Sequence, residues 1–251
     1  MRSFVCAAAL LLVLTHAARA ELQVRMPEVD YRELEFEHNG LVTFGPKGSS
    51  LDRAQSYTNE LGYGVLPWWE IELEGELASG GGQHLTWNAM TWENTFQLTE
   101  PGEYFFNLGF FAECSQATLH GQPNSVTAGP IVQKELYGVF GIDSVHTLNL
   151  FLSHDVGNGA SRATTFSYAW QSLIRTHPLI NPGVEFYGQI DDIAHPGPAS
   201  QQQHLVGPVL AGAVNVAPYG ALKYEVGYLF GLTPASGRSA VRWRLEYEIV
   251  F

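Results

Sequence analysis

Trp69-Glu70-Ile71-Glu72-Leu73-Glu74-Gly75-Glu76-Leu77 alternates an apolar or small residue with glutamate at every step. Successive side chains of a β-strand leave opposite faces, so one face of this stretch is oily and the other carries carboxylates. Wound at helical period, the two sets would mix and neither could be buried. The last stretch repeats the pattern. Val241, Trp243, Leu245, Tyr247, Ile249 and Phe251 share one face, while Arg242, Arg244, Glu246 and Glu248 share the other.

Looser alternation of the same period runs through Arg32 to His38, Tyr57 to Val65, Tyr104 to Glu113, Thr147 to Ser153, Val184 to Ile190 and Lys223 to Phe230. Weaker stretches are Leu85 to Leu98, Ile131 to Phe140, Thr164 to Leu173 and Leu205 to Val216. Together they predict an all-β chain of about twelve strands, within the even-numbered range of bacterial membrane barrels. Turn-forming clusters separate them, among them Gly45-Pro46-Lys47-Gly48, Leu66-Pro67, Thr99-Glu100-Pro101-Gly102, Asn181-Pro182-Gly183 and Pro218-Tyr219-Gly220. Their spacing suits hairpin after hairpin in one up-and-down domain over residues 21–251. Gly80-Gly81-Gly82 reads as another turn, since no Lys-Ser/Thr pair or helix follows it to make a phosphate loop.

Composition agrees. Only 15% of residues are charged, while Gly (26), Pro (13) and aromatics (12%) are plentiful. Gly and Pro are poor helix formers, and aromatic and β-branched residues suit a pleated surface. Thirteen basic residues against 25 acidic give a formal charge of −12. Phosphate neutralisation needs clustered Lys and Arg, so nucleic acid is set aside as a partner.

Residues 1–20 read as a secretory signal peptide: a basic start at Arg2, an apolar run from Phe4 to Leu14, and the small-residue site Ala18-Arg19-Ala20. The apolar run is well short of the roughly 20 residues that cross a bilayer as a helix. Cleavage would remove Arg2, Arg19 and Cys6, leaving 11 basic against 25 acidic residues, or −14, and the single cysteine Cys114. One cysteine forms no internal disulfide, even in an oxidising compartment.

Alternation by itself does not choose between a soluble sandwich and a membrane barrel. In the first the oily faces meet in a core; in the second they meet lipid and the polar faces line the lumen. The export signal, the aromatics near strand ends (Trp68-Trp69, Tyr104-Phe105, Tyr219) and the terminal Phe251 favour lipid. The ending Tyr247-Glu248-Ile249-Val250-Phe251 resembles the C-terminal signal by which outer-membrane proteins are recognised for assembly. That resemblance implies outer-membrane lipid and the assembly machinery as partners, with Tyr247, Ile249 and Phe251 as the signal. With an even strand number both termini face the periplasm, and the turns at Leu66-Pro67, Thr99 to Gly102 and Ala217 to Gly220 fall on that side. The longest connection, expected around Ser115 to Asn124, falls outside, as does Ala194 to Gln203.

If lipid takes the oily face, then Glu33, Glu35, Glu37, Glu60, Glu70, Glu72, Glu74, Glu76, Glu93 and Glu113 project into the lumen, joined by Glu185 and Glu225. Such crowding is costly unless water, cations, Lys or Arg answer it. Arg242 and Arg244 on the last strand are expected to meet Glu33, Glu35 and Glu37 across the closing seam, with Arg32, Lys134 and Lys223 as further partners. Two lumens fit this pattern. One is wet and negative and favours small cationic or polar solutes; the other is plugged by a structural charge network, as narrow barrels fill their interiors with side chains.

Catalytic signals are weak. Lipid-cleaving outer-membrane barrels resemble one another in a His-x-Ser-Asn segment; here Ser153-His154-Asp155-Val156-Gly157-Asn158 has Val156 where the nucleophile would be. Ser153 and His154 would also leave opposite faces of a strand. No catalytic residue is assigned, and a lipid hydrolase stands as the last of three readings. The histidines show no ligand-pair spacing, so no metal or cofactor is assigned either, although carboxylates could converge in space.

Taken whole, the sequence resembles the outer-membrane proteins grouped with phenol-degradation pathways as transporters. The likeness rests on the acidic strand Tyr31 to His38, on Glu60-Leu61-Gly62-Tyr63-Gly64 before a Trp-bearing turn, on Trp92-Glu93-Asn94 and on Phe110-Phe111-Ala112-Glu113. It implies envelope architecture and location and supplies no catalytic residues. Passive passage of a small polar or cationic solute is the leading expectation, and a non-conducting structural or binding barrel the alternative.

Overall fold

A computed structural model describes residues 22–216 and 220–250. The expected leader, residues 1–20, lies outside them, as do Phe251 and most of the turn at 217–220. Twelve strands run in chain order: β1 (Glu33–Phe44), β2 (Asp52–Leu66), β3 (Trp69–Ser79), β4 (Thr86–Gln97), β5 (Asn107–Ala117), β6 (Asn124–Val139), β7 (Ile142–Val156), β8 (Thr164–Ile174), β9 (Asn181–Ile190), β10 (Gln203–Val216), β11 (Gly220–Gly231) and β12 (Ser239–Val250). Every strand pairs antiparallel with its chain neighbours, and β12 closes onto β1 from Glu33 opposite Val250 to Phe44 opposite Ser239. The sheet therefore has no free edge, which is what a β-structure needs in hydrocarbon, where an unpaired backbone group finds no water.

The polarity is that of a membrane barrel. Along β1 to β4 the oily residues face out, with Phe36 52%, Leu61 53%, Leu73 42% and Trp92 49% exposed, while Glu37, Glu60 and Glu93 on the same strands are at most 1% exposed. A soluble barrel would reverse these two sets. An outward belt of this kind, on a closed up-and-down barrel with an even strand number, is that of a bacterial outer-membrane protein. Outward aromatics cluster in stacked or edge-on groups near the strand ends, including Trp68 and Trp69 against Phe96 and Tyr228 against Phe230.

The two rims differ. On the rim where β1 begins and β12 ends, the described connections are 67–68, 98–106, 140–141 and 175–180. The far rim carries 45–51, 80–85, 118–123, 157–163, 191–202 and 232–238. The expected longest connection, Ser115 to Asn124, is shorter than read: β5 continues to Ala117, paired with Ala89, and the longest connection is 191–202. Tyr104, Phe105 and Phe106, read as strand, belong instead to 98–106, with the two phenylalanine rings edge to face at 4.6 Å.

Candidate functional site

Segment 22–32 does not lie outside the barrel but runs through it. Leu22 lies at the far rim among Leu41, Thr43, Leu51, Leu205 and Ser236. Val24 packs, buried, with Leu41, Ala169, Tyr187, Leu205 and Leu229. Lower down, Met26 meets Thr147 and Gln133, Glu28 accepts from Asn107 (3.1 Å) and Gln133 (3.2 Å), and the Val29 amide donates to Gln97 (2.9 Å) at the near rim. A turn then feeds β1: the Arg32 amide donates to the Gly64 carbonyl (2.9 Å), with Arg32 in the left-handed region at φ 64°. Eight residues, Leu22 to Val29, reach up to about 25 Å when extended, most of the thickness of the hydrocarbon layer.

Arg25 is the anchor of this segment. Its guanidinium lies 2.6 Å from Glu93 and 3.5 Å from Glu72, with Cζ 4.3 Å from the centroid of the Phe111 ring. Asn149 grips the backbone of the same residue from both sides, accepting from its amide at 2.7 Å and donating to its carbonyl at 2.9 Å. Above it, Gln23 donates to Glu37 at 2.5 Å. Two wall glycines leave the space the segment occupies. A Cβ on Gly109 would stand 2.8 Å from Pro27 Cα, and one on Gly64 would stand 2.0 Å from the Asp30 carbonyl oxygen.

Among the described residues, the segment's backbone bonds to backbone only at its turn, Arg32 to Gly64 and Glu33 to Asp30. Above the turn, side chains hold it. Withdrawing it would break no strand ladder, in contrast to removing any of β1 to β12.

The acidic positions divide into two networks. Around the segment, Asn39 donates to Glu37 (2.6 Å) and Glu60 (2.8 Å), and Glu60, Glu72 and Glu93 bring carboxylate oxygens within 4.8 Å of one another beside Arg25. Glu74 is buried beside them on β3, Glu76 accepts from Ser56 (3.2 Å) and Asn88 (2.8 Å), and Glu113 stands opposite Glu93 on β5. At the near rim, Glu33 is buried and Glu35 and Glu70 are half-buried. Lys223 reaches Glu246 at 3.0 Å and also contacts Glu248.

The second network joins strands that are not neighbours. Arg242 of β12 crosses above Gly227 to reach Glu185 of β9 (Nε, 2.7 Å) and Glu225 of β11 (2.7 Å), and Gln171 of β8 donates to both carboxylates (2.8 and 3.3 Å). Arg244 contacts Glu37 and lies 2.5 Å from Glu246. The expected seam is therefore only partly formed. Register sets Glu35 opposite Glu248 and Glu37 opposite Glu246, so acids face acids across β1 and β12 and the arginines reach sideways.

Other readings need correction. Arg32 is exposed with its guanidinium 5.1 Å from the Tyr31 ring, and Lys134 points outward, 4.1 Å from the Phe105 ring, so neither answers the lumenal acids. The lumen is not polar throughout: Val145, Leu173, Val209 and Ala211 form one buried apolar cluster inside it, and the residues around Val24 another. Ser153 accepts from Thr127 on one face, while His154 lies 3.1 Å from the Ala163 carbonyl on the other, so the two do not meet. Tyr247 and Ile249 stand half-buried on β12, whereas Phe251 lies outside the described residues. Arg25, Asn149 and Phe111 were not read as a site, although a cation placed just ahead of the acid-rich first strands was a signal that could have pointed to Arg25.

No family model matches the chain, and no curated protein matches it. Among solved structures it is similar to the transport unit of the autotransporter AIDA-I from Escherichia coli (11% identity, TM-score 0.45, covering 93% of this chain and 94% of that one). It is also similar to Omp33 of Acinetobacter baumannii (10% identity, TM-score 0.39, 88% and 100% covered) and to a bacterial polysaccharide outer membrane secretin (6% identity, TM-score 0.34, 90% and 100% covered). All three scores lie below one half.

Proposed function

We propose that this outer-membrane barrel rests closed, with segment 22–32 as its stopper, and that small cationic or polar solutes pass when the segment withdraws. The observation that carries the reading is Arg25, buried in mid-lumen between Glu72 and Glu93. Wall side chains at that height, including Thr147, Asn149 and Glu93, are at most 1% exposed, which leaves a solute no path past the seated segment. Once the segment is out, the wall it leaves is acidic, and a negative wall concentrates cations. The likeness to transporters grouped with phenol-degradation pathways belongs to the same reading and rests on the sequence motifs alone. Partners on this reading are outer-membrane lipid around the belt and the assembly machinery, the latter engaging Tyr247, Ile249 and Phe251.

Planar-bilayer recording of a tethered variant tests the stopper. In a Cys114→Ser background, Pro27→Cys with Gly109→Cys brings two thiols together, since a Cβ at 109 would lie 2.9 Å from Pro27 Cβ. A disulfide prefers about 3.8 Å, so the segment need give by only about 1 Å. Untethered protein is expected to show rare, cation-selective openings that vanish on oxidation and return on reduction. Steady conductance that ignores the tether would remove the reading.

A further inference from the structure

The pocket around Arg25 matches the group that fills it more closely than a charge pair requires. A guanidinium is planar, weakly hydrated, forks onto carboxylates and stacks on aromatic rings, whereas an ammonium is a compact, strongly hydrated point charge. Here three carboxylates, those of Glu60, Glu72 and Glu93, converge within 4.8 Å, and the Phe111 ring supplies a flat face 4.3 Å from the guanidinium carbon. Phe111 is itself fixed, 1% exposed, with its ring 5.0 Å from that of Phe151.

The tethered occupant does not use everything on offer. Glu93 is fully buried, yet neither of its carboxylate oxygens receives a well-aligned hydrogen bond among the described residues; Arg25 Nη1 stands 2.6 Å from Oε2 as an ion pair. Arg25 enters from above on a chain pinned by Asn149, which fixes the direction of its fork. A free alkylguanidinium has the same five donors and no such constraint.

We infer that this pocket is a recognition site for alkylguanidinium cations, occupied at rest by Arg25 as a built-in stand-in, and that such cations are the solute class the open barrel prefers. The solute preference rests on the closed-barrel reading above; the pocket's selectivity can be tested without it. A free alkylguanidinium would compete with Arg25 for Glu72, Glu93 and Phe111, so it would both enter the site and loosen the stopper.

Ethylguanidinium chloride, with ethylammonium chloride as the size-matched control, serves as the probe on the full chain. In folded Arg25→Ala protein, ethylguanidinium should raise the temperature of heat-modifiable migration at concentrations about tenfold lower than ethylammonium, a margin set by the guanidinium's extra donors and stacking. The effect should disappear when Glu93→Gln is added and need higher concentrations when Arg25 competes for the site. Equal response to the two cations, or an equal response with Arg25 in place, would overturn the inference. Should Arg25→Ala fail to fold, the unaltered protein decides: ethylguanidinium must raise its rate of opening in planar bilayers above that in ethylammonium, and equal rates count against the site. Where Arg25→Ala folds, steady conductance without either cation would remove the closed-barrel reading alone, and the migration assay would still judge the pocket.

Discussion

Replacing Arg25 with alanine should turn a mostly silent barrel into a conducting one. With the segment seated, the change leaves Glu72 and Glu93 buried beside Phe111 with no cation between them. Breaking a buried ion pair by deleting one partner costs about 3–5 kcal/mol, because the remaining charge is still out of water. With the segment withdrawn the same carboxylates are hydrated and the change costs little. The whole penalty therefore falls on the closed state, and each 1.4 kcal/mol is a factor of ten, so opening should rise on the order of 100-fold or more. The segment's other contacts, among them Gln23 to Glu37, Asn107 and Gln133 to Glu28, Asn149 to the backbone and Gln97 to Val29, are the same with or without the Arg25 side chain, so they set the resting balance and do not offset the change. Single-channel open probability and cation selectivity read the effect directly. An unchanged silence would mean that something other than the Arg25 pair keeps the lumen shut.

The largest loss of stability is expected at Arg242. This side chain ties β12 to β9 and β11 at once, and it is 2% exposed, as its partner Glu185 is fully buried. Alanine at this position leaves two carboxylates facing each other over Gly227, and by the same reasoning the cost is about 3–5 kcal/mol. Arg175 with Glu135 is the informative contrast. That pair sits at the near rim with side chains 44% and 26% exposed, and a solvated pair of this kind contributes about 0–1 kcal/mol. Urea unfolding in lipid vesicles should therefore separate Arg242→Ala from Arg175→Ala by several kcal/mol. Simultaneous Arg242→Met, Glu185→Leu and Glu225→Leu should recover most of the loss, since an apolar replacement of similar volume removes the charges along with their pairing. A loss below about 1 kcal/mol for Arg242→Ala would mean that water reaches this network.

The barrel was legible because period two survives wherever the two faces differ in polarity. In β3 and β12, glutamate and arginine on one face against tryptophan and leucine on the other fix the strand and its facing together. Reading weakened in β8 and β10 for a physical reason. Leu205, Val209 and Ala211 face the lumen while Val206 and Leu210 face out, so both faces are apolar and the alternation fades. Charged residues near rims were legible by type but not by direction. Lys134 finds an aromatic ring outside the wall, and Arg32 is spent on a left-handed turn.

Segment 22–32 was only faintly legible, and its position explains why. Leu22-Gln23-Val24-Arg25-Met26 alternates briefly, but Pro27 ends the run, and a segment enclosed by wall has no lipid face against which a longer period could develop. Leu22 and Val24 meet apolar partners, Gln23, Arg25, Met26 and Glu28 meet polar ones, and Pro27 lies against Gly109. Only the fold decides which is which. Arg242 was assigned to the right strand but to the wrong partners, because a long side chain can pass over a glycine and reach strands beyond its register neighbours.

Whether the lumen is filled at mid-height is tested most directly by the reactivity of a thiol placed there. Thr147 is 1% exposed and lies against Met26 of the segment, so Thr147→Cys in a Cys114→Ser background puts one cysteine behind the stopper. A small water-soluble methanethiosulfonate applied to the folded protein in vesicles should label it far more slowly than a cysteine in connection 191–202, and Arg25→Ala should bring the rate up towards the loop value. Labelling of the Thr147→Cys thiol as fast as the loop, with Arg25 intact, would contradict a closed lumen.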